Sequence, residues 1–186
     1  MKQFILALLF SNLLAFHGFG QSIELNTGSY YGLWQNEGGR YYYGGGSFEL
    51  LYEHPINKGA LRGGIEFRTI DWGNQVALNV GFKGNYIQKE KWSLSGVTSA
   101  GLGLALFVKN PLFVYSIDYM PVFTWLRNKR FDYYVGLGIR FTHCPAYRNY
   151  SKVNQLIELP LKIGVTYKLS YKKNDPETNS SGSKIN

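Results

Sequence analysis

The chain has 186 residues, room for one domain. One cysteine, Cys144, excludes an intrachain disulfide, and the histidines His17, His54 and His143 lack partners at metal-ligand spacing, so no metal and no cofactor is expected. The net charge of +8 is compatible with nucleic acid in general, but the exported start described next argues against such a partner. It leaves two readings open, phosphorylated lipid headgroups as the acidic neighbour or charge that aids solubility at strand ends.

Residues 1–20 read as a signal peptide. Lys2 supplies the positive start and Phe4 to Phe16 an apolar run of the right length, interrupted by Ser11 and Asn12 and too short to span a bilayer as a helix. Gly18-Phe19-Gly20 is the small-x-small pattern that places cleavage before Gln21. An uncleaved N-terminal anchor is the competing reading. No cysteine near residue 20 offers a lipid attachment point.

From residue 21 onward no long apolar run remains, and the dominant pattern is alternation with period two. The composition agrees: 15 Tyr, 12 Phe and 4 Trp favour strands and membrane interfaces, and 22 Gly permit turns and close approach. Strands are expected at roughly 22–34, 41–53, 60–71, 75–88, 91–108, 113–125, 131–142 and 158–171. The last shows it best, with Leu159, Leu161, Ile163, Val165, Tyr167, Leu169 and Tyr171 on one face and Glu158, Pro160, Lys162, Gly164, Thr166 and Lys168 on the other. Turn chemistry separates the segments, as in Asn36-Glu37-Gly38-Gly39, Pro55 to Gly59, Gly73-Asn74, Lys109-Asn110-Pro111 and Arg127 to Arg130. No room remains for crossover helices, so the strands follow one another as hairpins. The expected fold is all-β: an eight-stranded antiparallel up-and-down transmembrane β-barrel over 21–173, with a disordered polar tail at 174–186.

The distribution of charge decides which face is outside. If the apolar stripe faces lipid, the lumen holds Glu24, Glu49, Glu66, Asp118, Asp132 and Glu158 against Arg62, Arg68, Lys83, Arg140, Lys162 and Lys168. Such a set is tolerable only as a paired network, and in a lumen as narrow as that of eight strands it would form a plug. With the chain starting in the periplasm, Tyr31, Trp34, Tyr42, Phe67, Trp72, Phe107, Phe113 and Phe141 fall towards the outer rim. Tyr52, Tyr86, Trp92, Trp125, Phe131, Tyr133 and Tyr171 fall towards the inner one, giving two aromatic belts. A lipocalin-like soluble barrel would share the alternation but invert the faces.

The Gly-Phe-Gly-Gln end of the leader, the Gly-Leu-Gly and Gly-Leu-Gly-Ile-Arg-Phe segments and the closing Leu-Lys-Ile-Gly-Val-Thr-Tyr-Lys-Leu resemble the small bacterial outer-membrane β-barrel superfamily over roughly 22–171. The resemblance implies a home in the outer membrane, contact with its lipids including lipopolysaccharide, and insertion by the barrel-assembly machinery. Such barrels often end on an aromatic residue; here polar residues follow Tyr171, so either the insertion signal is internal or insertion does not follow the usual route.

No residue is assigned a catalytic role. Gly101-x-Gly103 and Gly136-x-Gly138 stop short of a nucleotide-binding fingerprint and open no helix. A lipid A-modifying hydrolase would need a serine, a histidine and an acid in register, and neither His54-Pro55 nor His143-Cys144 has the His-x-Ser spacing of the lipid A deacylases. The candidate recognition element is the break from Cys144 to Asn154, where Tyr147, Arg148, Tyr150 and Lys152 interleave aromatic and basic side chains suited to headgroups, glycans or a protein partner. The expected function is envelope structure, adhesion or partner binding.

Overall fold

Alternating apolar and polar residues place every second side chain on one face, so each such segment gains most as a strand with one wet and one dry side. The computed structural model describes residues 21–36, 39–70, 73–107, 110–125, 130–145 and 155–169. In chain order the strands are β1 (Ser22–Asn36), β2 (Gly39–Ile56), β3 (Gly59–Ile70), β4 (Gly73–Gln88), β5 (Trp92–Phe107), β6 (Asn110–Trp125), β7 (Phe131–Leu137), β8 (Ile139–His143) and β9 (Gln155–Lys168). The last starts earlier than the alternation predicts, at Gln155 rather than 158, because Leu156 and Glu158 share the inward parity of Lys162.

Consecutive strands pair antiparallel, and β1 also pairs β9 from Ser22↔Lys168 to Leu33↔Ile157, which closes the sheet. β7 and β8 are halves of one stave. Both pair β6 and β9 in an unchanged register across Gly138, whose N–H donates to the Pro160 carbonyl at 2.9 Å. The nine segments thus make eight staves, the expected antiparallel up-and-down barrel.

The faces sort as a membrane barrel requires. Leu78, Leu102, Ile117, Leu137, Ile163 and their outward neighbours are exposed, whereas Glu24, Glu66, Arg140 and Glu158 are buried. Among the described strand side chains, no Asp, Glu, Lys or Arg points outward. Lys or Arg on that wall would cost about 2–4 kcal/mol near the bilayer midplane. Exposed Tyr31 and Tyr42 stack at 5.6 Å towards the rim away from the chain ends, together with exposed Phe113 and Phe141, while Phe67 is also outward. Tyr86, Trp92, Phe131 and Tyr133 are exposed on the wall nearer the chain ends, with Tyr52 and Trp125 half-buried. The side chains of Trp34 and Phe107, and all of Trp72 and Tyr171, lie outside the described residues.

Large inward rings need matching space on adjacent staves, and glycine supplies it. Tyr43 lies over Gly32, and Tyr30 over Gly45. Tyr134 lies over Gly164, where an added Cβ would sit 2.5 Å from the ring carbon Cζ. Tyr134 cannot swing away, because its hydroxyl donates to Glu24. Gly164→Ala is therefore expected to cost about 1–3 kcal/mol by overpacking. Gly46→Ala, whose Cβ would meet nothing nearer than 3.5 Å, should stay within about 0.5 kcal/mol. Urea unfolding of the two variants in lipid vesicles tests the contrast.

Candidate functional site

The interior holds the most chemistry per volume in the molecule. It is built from inward positions of all staves, brought together because closure turns one polar face of the sheet onto itself. Around Glu24 on β1, Arg62 of β3 and Tyr134 of β7 donate hydrogen bonds, and Asn26 Nδ2 lies 3.2 Å away. Arg62 also pairs Glu53 of β2 at 3.1 Å, and Lys83 of β4 reaches the same carboxylate at 3.3 Å. Glu49 accepts from Asn26 at 2.8 Å and Asn79 at 2.9 Å, with Lys162 Nζ at 2.8 Å.

Higher in the barrel Arg140 Nη1 donates to both oxygens of Glu66 at 2.8 and 3.0 Å, and its Nη2 lies 3.8 Å from Asp118. Asn79 donates to Glu66 at 3.1 Å. Glu158 accepts from Arg68 at 2.7 Å, Tyr43 at 2.8 Å and Thr142 at 3.1 Å. The Arg68 guanidinium lies 4.2 Å from the centre of the Tyr30 ring, a cation–π contact. Asp132 and Lys168 pair at 2.9 Å apart from this network, near the rim that carries both chain ends.

The twelve charged residues read from the sequence therefore all face the interior, ten of them in the central network or at its edge and two as the separate rim pair. Sequence reasoning missed Glu53, which is 5% exposed and binds two cations. Its signal was available, since it continues the Glu49–Leu51 parity along β2. With Glu53 the described interior holds one acid more than the even count. The neutral partners Asn26, Asn79, Tyr43 and Tyr134 were likewise not assigned a role, because parity reveals position but not hydrogen-bonding duty.

The two ends of the lumen differ. At the chain-end rim a polar cup of about 290 Å3 opens, lined by Ser22, Glu53, Lys83, Ser93, Thr124 and Lys168 among others. At the opposite end Ala105, Val114 and Cys144 are buried together, with Leu112 packed against them and Leu156 also buried. His143 and Cys144 point to opposite faces: His143 lies against the Tyr115 ring at 4.8 Å on the outside, and the Cys144 thiol is inside. Among the described residues no cluster of His, Cys, Asp and Glu has a geometry able to hold a metal. Tyr147, Arg148, Tyr150 and Lys152 lie outside the described residues.

No known family model matches the sequence, and no curated protein matches it. Among solved structures it is similar to Neisserial surface protein A (NspA), at 11% identity over 80% of this chain and 97% of that one, with a TM-score of 0.54. Another similar structure is Ail, the attachment invasion locus protein of Yersinia pestis, solved with the heparin analogue sucrose octasulfate. It shares 16% identity over 82% of this chain and 100% of that one, with a TM-score of 0.42. The chain has the fold of the small eight-stranded outer-membrane barrels.

The network predicts a specific energetic signature. Arg140→Met would leave Glu66 without its bidentate partner in a buried site, and a cost of about 3–5 kcal/mol is expected. Adding Glu66→Gln removes the stranded charge and should recover part of that loss. Chemical unfolding of both single variants and the double variant measures the coupling; purely additive effects would contradict a direct Arg140–Glu66 interaction.

Proposed function

We propose that this protein is a bacterial outer-membrane barrel with a plugged lumen and no catalytic role, acting in envelope structure, adhesion or partner binding at its surface-exposed rim. The observation that carries the reading is the division of charge: an outward strand face without an ionised side chain among the described residues, around an interior crossed by ion pairs. A soluble ligand-binding barrel would invert that division. A lipid A-modifying enzyme would need a nucleophile and base on one face, whereas His143 and Cys144 are divided between two.

Residues 1–20 then act as the export signal, and the barrel-assembly machinery inserts 21–173 among phospholipid and lipopolysaccharide, with 174–186 as a polar extension. At the rim away from the chain ends, three connections span only residues 37–38, 71–72 and 108–109, while the fourth runs from Cys144 to the start of β9 at Gln155. That long connection, with Tyr147, Arg148, Tyr150 and Lys152, is the proposed recognition element.

Three measurements test the reading. The unboiled protein in detergent should migrate differently from the boiled one, and the protein should stay with the outer-membrane fraction through a carbonate wash. Planar bilayers should show no steady conductance, since the ion pairs occupy the narrow lumen. Recovery in the soluble periplasm overturns the proposal, and a stable open pore overturns the plug. A lipid A profile that changes when the gene is deleted would favour the enzymatic alternative.

A further inference from the structure

The polar cup at the chain-end rim is not filled by the ion-pair network beneath it. Its volume of about 290 Å3 falls at the lower end of the range that small-molecule sites occupy. Its walls are inward positions of the strand ends. Ser93 of β5 and Thr124 of β6 are cross-strand partners close to the ends of their strands, so they lie at the mouth. Lys83 of β4, paired with Ala60 of β3, lies deeper. It keeps 15% of its side chain exposed, against 7% for its partner Glu53. Asn85, two residues along β4, lines the same cup.

The acids of the cup are occupied, and several of its donors are not. Glu53 has Ser22 at 3.3 Å, Arg62 at 3.1 Å and Lys83 at 3.3 Å, and Asp132 is paired with Lys168 at 2.9 Å. The Lys83 ammonium carries three N–H groups. Among the described residues its one hydrogen-bond partner is Glu53. Ser95 donates to Asn85 Oδ1 at 2.9 Å, which occupies the oxygen of that amide and leaves its NH2 group as a donor. No hydrogen bond among the described residues uses the hydroxyls of Ser93, Thr124 or Thr166, all of which line the cup. The lining contains no aromatic ring, and Pro55 and Ala60 are its apolar side chains.

A cup with uncommitted donors, one ammonium among them and no apolar plate, suits a ligand that is rich in acceptors and singly charged. We propose that it binds a small hydroxylated carboxylate of the size of a sugar acid, its carboxylate on Lys83 and Asn85 and its hydroxyls on Ser93, Thr124 and Thr166. A phosphate dianion asks for a second uncommitted cation, and Lys168 is held by Asp132. A zwitterion asks for an uncommitted acid, and Glu53 already has three donors. A neutral sugar leaves the Lys83 N–H groups without a charged acceptor. The outer-membrane reading enters only in the source of the ligand, because it turns this rim towards the periplasm.

The test is an amide-shift titration of the folded, nitrogen-15-labelled protein in detergent micelles with sodium gluconate, glucose and sodium phosphate. Gluconate should give saturable shifts confined to the cup, at Lys83, Asn85, Ser93, Ser95 and Thr124. Glucose and phosphate should bind about tenfold more weakly, the scale of one hydrogen bond to a charged group. Lys83→Met should weaken gluconate binding about tenfold, and Lys83→Arg should restore much of it. Thr124→Val, which leaves every ion pair in place, should weaken it about threefold and keeps the test decisive if Lys83→Met does not fold. Shifts that grow without saturating, equal binding of glucose and gluconate, or tighter binding of phosphate overturn the site. Gluconate binding that Thr124→Val leaves unchanged overturns it as well. The shift on boiling and membrane fractionation decide the outer-membrane reading separately: a protein that binds gluconate but is recovered in the soluble periplasm keeps the site and loses that reading.

Discussion

Everything in this molecule depends on the pairing of β1 with β9. Hydrocarbon offers no partner to a backbone N–H or C=O, so a sheet in lipid is viable only without edges. The register from Ser22↔Lys168 to Leu33↔Ile157 supplies that closure and brings both ends of the barrel domain to one rim. Closure at eight staves also fixes the lumen at a width that side chains fill. The inward face then cannot remain merely wet. It has to be packed, and whatever polar groups it carries must find each other.

The interior meets this demand by linking staves that are not neighbours. Arg62 and Tyr134, from β3 and β7, converge on Glu24 of β1, while Arg140 of β8 reaches across to Glu66 of β3. Glu158 of β9 gathers Arg68 of β3 and Tyr43 of β2. Buried pairs of this kind are weak sources of stability, because desolvation offsets much of the attraction. Their stronger effect is on register. A slip of one residue in any stave would turn its charges into lipid and its leucines into the lumen. The tyrosine–glycine contacts act in the same direction, since Tyr43 fits only opposite Gly32 and Tyr134 only opposite Gly164.

The stave count, the outward face and the inward charges were legible because one rule, alternate residues on alternate faces, governs every strand. The same rule locates Glu53, which lies inside the expected strand 41–53 on the parity of Glu49 and Leu51 and was left out of the inward set despite that signal. Pairing was not legible. Nothing in the sequence says that Arg68 binds Glu158 at 2.7 Å and lies as far as 4.0 Å from Glu66, because that depends on the stagger and tilt of the closed sheet.

The two rims carry opposite designs, and that asymmetry follows from where the chain spends its residues. The connections at 37–38, 71–72 and 108–109 are two residues each, so the stretch between β8 and β9 is the longest between strands at that rim. Its two roots are anchored inside the barrel, Cys144 at 0% exposure and Leu156 at 1%. Cys144 packs with Ala105 and Val114, an apolar layer at that end of the lumen. A loop rooted in an apolar cap can vary in sequence without disturbing the ion pairs, whereas a change at Arg140 or Glu66 is felt by several staves at once. The interior ion pairs tie several staves to one register, so a substitution is tolerated least within that network.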